Sequence, residues 1–193
     1  MRRRTFDALL TTAGLVLAVI LLIAGVLLTW GHVFVNNQVH DQLAAQKITM
    51  PAGDAITEPT IKPYLSQYAG QQLTTGAQAE AYANHFIAVH LQGIGGGKTY
   101  AQLSAAAMAN PNDAKLAGQV ATTFKGETLR GMLLNAYAFW KIGQIALYAA
   151  IASFIGAAIM LLLSVLGFAH LRRVDPEVEV LAPPVTRAKV ATA

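Results

Sequence analysis

The chain has 193 residues, 54% hydrophobic and only 12% charged, whereas a soluble domain carries about a quarter charged residues. This deficit and a mean hydropathy of +0.45 argue against an ordinary soluble globule, and the length excludes two large domains. The absence of cysteine excludes a disulfide framework, a thiolate metal site and a cysteine nucleophile, and the net charge of +4 is spread over both ends and the middle, leaving no basic stripe for nucleic acid.

Residues 1–7 hold Arg2, Arg3 and Arg4 and read as a basic cytoplasmic N-terminus. Residues 8–30 follow without a charge. A helix of that length covers about 35 Å, enough for a hydrocarbon core of about 30 Å. The run is too long for a typical signal core and lacks a small-residue cleavage site after Trp30, so it reads as an uncleaved signal anchor.

Residues 31–141 are the only part large enough for a domain. Val35, Val39 and Leu43 recur every four residues, which extends the first helix beyond the bilayer. Pro51, Pro59 and Pro63 punctuate residues 48–66, where neither helix nor central strand is expected. Thr75 to Gln78 forms a capping box, and Ala79, Tyr82, Ala83, Phe86 and His90 then share one helical face. Gly93 to Gly97 ends that helix. Thr99 to Gln102 is a second capping box, opening a helix to about Ala109. Asp113 is positioned to cap a third helix carrying Leu116, Val120 and Phe124, which Gly126 interrupts. The pattern resumes at Leu129 and runs into a second apolar span over residues 142–170. Residues 171–193, rich in proline and mixed charge, read as a disordered cytoplasmic tail.

Orientation follows the flanking basic residues. Arg2 to Arg4 precede the first span, and Arg172 and Arg173 follow the second. Trp30, Tyr137 and Trp140 then fall together at the opposite interface, where aromatic rings concentrate. The expected fold is an all-α membrane protein of two transmembrane helices flanking a small helical extracytoplasmic domain, with both termini cytoplasmic. Small residues mark both spans. Gly14, Ala18 and Gly25 share a face of the first, and Ala149, Ser153 and Ala157 step by four along the second, with Ala152 and Gly156 beside them. Such stripes allow close backbone approach in lipid. Each helix can pack against the other or against a partner subunit.

No catalytic constellation is recognisable. Gly93 to Thr99 ends like a nucleotide phosphate-binding loop, but Gln92 stands where the first glycine is required. His85 and His90 are five apart and diverge by about 140° on a straight helix. With Glu80 or Asp41 they are the least unfavourable candidates for a metal site. Glu80 with Asn84, and Glu127 with Arg130, read as exposed helix-face pairs. Neither span carries an ionisable residue in its middle third, which disfavours ion transport by this chain alone. No cofactor and no nucleotide is expected.

The N-terminal Met1-Arg2-Arg3-Arg4-Thr5-Phe6-Asp7, the block from Gln71 to Ala83 (QQLTTGAQAEAYA), and Gly126-Glu127-Thr128-Leu129-Arg130-Gly131 leading to Asn135-Ala136-Tyr137 resemble a family of actinobacterial two-span membrane proteins of unknown function. The resemblance covers most of the chain except the tail. Some members of that family are labelled aromatic ring-opening dioxygenase, but no residues here match the iron site such chemistry requires. The resemblance implies origin and two-span topology and no catalytic residue. The expected function is that of a non-catalytic accessory, scaffold or assembly subunit. Its partners would be the lipid bilayer and either another membrane protein or a second copy. A ligand-binding or sensory module is the alternative, and a metal-dependent enzyme the remote one.

Overall fold

A computed structural model describes residues 2–173 together with 175 and 180; the expected disordered tail falls almost wholly outside them. Every regular element among these residues is helical. In chain order they are α1 (Arg3–Ala45), a 3-10 turn (Gly53–Ile56), α2 (Lys62–Leu65), a second 3-10 turn (Ser66–Tyr68), α3 (Gly76–Tyr82), a π turn (Ala83–Ile87), α4 (Ala88–Gly95), α5 (Tyr100–Ala109) and α6 (Ala114–Leu171). The 43-residue α1 and 58-residue α6 are each long and apolar enough to cross a membrane. The chain divides into two compact units, Met1–Thr29 with Leu147–Ala193, and Trp30–Ala146.

In the first unit the two long helices meet along small side chains. Thr11, Ala18 and Gly25 are buried on α1, and Ala150, Ala157 and Ser164 on α6. Each trio repeats every seven residues, the period that keeps one seam of a helix facing its partner. The glycines are seats for larger groups opposite. A Cβ on Gly25 would lie 2.8 Å from the Phe154 ring, one on Gly156 3.3 Å from Leu21, and one on Gly14 3.0 Å from the Ser164 hydroxyl. That hydroxyl donates to the Thr11 carbonyl at 3.3 Å. Of the expected stripe on α6, Ala157 is buried and Ala149 and Ser153 are half-buried. The buried seam runs through Ala150, one residue from Ala149, because a seven-residue repeat and a four-residue step diverge along a helix.

The second unit is built around the outer parts of α1 and α6. α1 continues past Trp30 to Ala45 and buries Val39 and Leu43. It ends where Lys47 takes a left-handed conformation (φ 54°), and the Ala44 carbonyl accepts both from Lys47 N–H at 3.1 Å and from the Gln72 side chain at 3.1 Å. The stretch after α1 supplies the centre of the core, with Met50, Ile61, Leu65 and Leu73 at most 1% exposed. Its backbone is held by Met50 N–H to Gln71 C=O (2.8 Å) and Leu73 N–H to Ile48 C=O (2.8 Å), around a single bridge between Thr49 and Gln72.

Three expectations are corrected. The proline-rich stretch does contain a helical turn, α2, because Pro63 occupies its first turn, where no donor is needed. Gly126 does not interrupt a helix, since α6 runs unbroken through it. Its missing Cβ instead makes room for Leu91, whose side chain fills that space. His90 does not share the buried face with Ala79 and Ala83. The π turn inserts an extra residue, so Ala79, Ala83, Ile87, Leu91 and Gly95 form the buried line and His90 is exposed. Both capping boxes close as expected, and Asp113 Oδ1 accepts from Leu116 N–H at 3.0 Å.

Gly76 and Gly131 should respond oppositely to alanine. A Cβ on Gly76 would overlap Cβ and Cγ of Trp140, atoms too close to the α6 backbone to swing aside. Gly76→Ala should therefore destabilise by about 1–3 kcal/mol. Gly131 has nothing within 4 Å, so Gly131→Ala should gain up to about 1 kcal/mol of helix propensity. Melting of the full chain in mild detergent checks both signs. By the same measurement, Gly25→Leu should lower the melting temperature through displacement of Phe154, while Gly31→Leu, also with nothing within 4 Å, should not.

Candidate functional site

The histidines and acids singled out in the sequence do not converge. His85 stacks on Tyr64 with ring centroids 3.4 Å apart. His90 donates from Nδ1 to the Phe86 carbonyl at 2.8 Å, which satisfies its own helix. His40 lies 3.2 Å from its neighbour Asp41, and His32 Nδ1 donates to the Gly143 carbonyl at 2.8 Å. Among the described residues, no three of His, Asp or Glu are grouped so as to hold a metal ion.

The glycine loop is spent on caps. Gly96 is left-handed (φ 59°), Gly97 N–H donates to Gln92 C=O at 2.9 Å, and Lys98 N–H to Gly95 C=O at 3.1 Å, the bonding of a helix C-terminus. Thr99 then accepts from Gln102 N–H and opens α5. The N–H groups a phosphate would require are already engaged within the protein.

The two helix-face pairs prove to be joined. Asn84 donates to Glu80 at 2.9 Å, and Arg130 donates both to Asn84 Oδ1 at 3.1 Å and to Glu127 at 3.3 Å. This chain of four side chains ties the π turn to α6, a link across 46 positions of sequence that no local spacing announces.

The expected interfacial aromatics separate into two kinds. Trp30 is 66% exposed and stacks on Phe34. Trp140 is half-buried over Gly76 and packs against the core of the second unit, with Tyr137 beside it. Arg172 and Arg173 are exposed just past the end of α6.

The feature best suited to bind something is a groove within the second unit, between the outer part of α1 and the facing stretch of α6. It encloses about 650 Å³, within the range of ligand sites. Its floor is formed by the buried Val39, Leu43 and Leu133, and Phe34 and Phe139 flank it, both more than half exposed. Gln38, Gln42, Gln46 and Asn135 supply the polar lining, and none of the fourteen lining residues is charged. The sequence reading missed this groove. Its only local signal is the run Gln38, Gln42 and Gln46 beside Val35, Val39 and Leu43, amides and apolar groups on adjacent faces. Without carboxylate, imidazole or activated hydroxyl, the groove can hold an apolar body and cannot perform acid–base or nucleophilic chemistry.

No protein-family model, curated protein or solved structure matches this chain.

Burial raises the Tyr82 phenol above its ordinary value of 10.0. The neutral form is therefore favoured by the fold, so its stabilisation is complete below pH 10 and is lost as pH rises through the raised value. Tyr82→Phe should melt at a constant offset from the parent between pH 7 and 9. Above about pH 10 the difference should move in favour of the variant.

Proposed function

We propose that this chain is an integral membrane protein with no catalysis of its own, an accessory, scaffold or assembly subunit that presents the unit Trp30–Ala146 outside the cytoplasmic membrane, with both termini inside. The supporting observation is the solvent the long helices require. Only 17% of the most apolar window of each is buried, and large side chains such as Leu10, Ile20, Ile23 and Leu27 on α1, and Ile155, Ile159, Leu162 and Val165 on α6, stand 48–64% exposed. The core helix of a soluble protein would bury these groups, and an exposed apolar surface of this extent favours lipid as its surroundings. Basic residues at Arg2 to Arg4 and at Arg172 and Arg173 favour termini on the cytoplasmic side. The uncharged groove favours a binding role over a catalytic one, whether the occupant is a subunit or a ligand.

The cysteine-free sequence allows a clean test of topology. Single cysteines introduced as Lys98→Cys and Arg173→Cys should react oppositely with a membrane-impermeant maleimide on intact cells. Labelling is expected at position 98 and none at 173 until the cells are opened; the reverse pattern would refute the orientation. Gentle cross-linking followed by extraction in mild detergent should recover a stoichiometric membrane partner. Recovery of this chain alone would count against the scaffold role.

A further inference from the structure

The positive charge of the chain is spread along the sequence, but folding gathers much of it at one end of the first unit. Arg2, Arg3 and Arg4 lie at the start of α1, and Arg172 and Arg173 follow the end of α6. Asp7 on α1 and His170 on α6 bring these ends together, with Asp7 Oδ2 4.0 Å from His170 Nε2 and 3.8 Å from Arg3 Nε. One turn further in, a Cβ on Gly167 would overlap the Thr11 side chain, so the helices touch there. The backbone is held at both ends. Thr5 and Phe6 N–H donate to the Arg2 carbonyl, and Arg173 N–H donates to the His170 carbonyl at 2.8 Å. All five arginines are exposed, and against them this end sets two aspartates, Asp7 and Asp175, so it stays positive.

Apolar surface begins directly beyond the arginines. Phe6, Leu9 and Leu10 on α1, and Leu166 and Phe168 on α6, are exposed. A ligand that satisfies both surfaces carries a compact anion next to hydrocarbon. Guanidinium groups pair with phosphate oxygens through parallel hydrogen bonds. An acidic protein or a nucleic acid would meet the arginines and leave the adjoining apolar groups uncovered. A phosphate diester bearing acyl chains meets both requirements in one molecule.

We infer that this end of the α1–α6 pair binds an anionic phospholipid. Its phosphate lies among Arg3, Arg4, Arg172 and Arg173, and its acyl chains lie against the apolar faces just beyond. The inference rests on the membrane reading of the long helices and names the lipid class that they select. Phosphatidylcholine offers the same phosphate, but its choline cation is repelled by the arginines, so the anionic headgroup is preferred.

The test uses the full chain in phosphatidylcholine vesicles with a trace of phospholipid spin-labelled on one acyl chain, bearing either a phosphatidylglycerol or a phosphatidylcholine headgroup. Both leaflets have the same composition, so the result does not depend on the orientation of the chain. Electron paramagnetic resonance reads the fraction of label that the protein immobilises. Phosphatidylglycerol should associate about fivefold more strongly than phosphatidylcholine at low salt. Most of that preference should vanish in about 1 M salt, where exposed charges are screened. Arg3→Gln with Arg4→Gln, and Arg172→Gln with Arg173→Gln, each remove half of the site and should lower the preference to about twofold or less. Lys98→Gln with Lys115→Gln removes equal charge from the second unit and should leave it unchanged. Unaltered immobilisation of the phosphatidylcholine label shows that each variant still folds and inserts.

Equal association of the two lipids would overturn the inference. So would a preference undiminished in either arginine variant, or lost equally in the lysine variant. Glycerol phosphate, added at an ionic strength matched with chloride, should not displace the lipid; displacement would point to a soluble phosphate ligand instead. Flotation under alkaline carbonate separates the two levels of argument. A chain that does not float with the vesicles refutes the membrane reading itself; one that floats without the preference refutes only the anionic phospholipid.

Discussion

Close approach of two helix backbones, at positions where the side chain is a hydrogen or a methyl group, is the constraint on which the first unit depends. Gly25 lies under Phe154, Gly156 under Leu21, and Gly14 beside Ser164. In lipid, the medium proposed for these helices, there is no hydrophobic gain from bringing helices together, and van der Waals contact and a few polar bonds would hold them. The seven-residue repeat of Thr11, Ala18 and Gly25 against Ala150, Ala157 and Ser164 keeps that contact along the seam, and leaves the larger aliphatic groups facing outward.

The second unit uses the same two helices for a different purpose. Here burial can drive folding, and the short segments after α1 supply what the long helices lack. Met50, Ile61, Leu65 and Leu73 fill the centre, while main-chain bonds between residues 48–50 and 70–73 hold the segment that carries them. The π turn at Ala83–Ile87 is the main irregularity and has a clear role. It holds residues spaced by four on one line, so that Leu91 reaches the space left open at Gly126. Asn84, within the same turn, is tied to Arg130. The groove follows from this arrangement, because the core segments cover one side of the α1–α6 pair and leave Val39, Leu43 and Leu133 as the floor of an open channel on another.

Much of this was legible from composition and local spacing. The two long apolar helices, the continuation of the first past Trp30, both threonine–glutamine capping boxes and the Asp113 cap depend on hydrogen bonds and periodicities that span a few residues, and a linear sequence displays them directly. Readings that depended on a partner element went differently. Gly126 carries the same local signal whether it breaks a helix or seats Leu91, and only the neighbour distinguishes the two. Trp140 looks like an interfacial aromatic by position, yet it packs over Gly76, 64 residues away.

The sequence by itself determined that two long apolar helices are present and where several of the shorter helices begin, because these follow from apolar content and from satisfying backbone groups within one turn. Tertiary structure alone decided which small residues form the seam, how the π turn re-aims α4, that Glu80, Asn84, Arg130 and Glu127 form one connected chain, and that an uncharged groove opens between α1 and α6 within the second unit. The physical reason is the same in each case. These features arise from shape and distance between segments far apart in the chain, and no pattern of spacing within one segment encodes the surface of another.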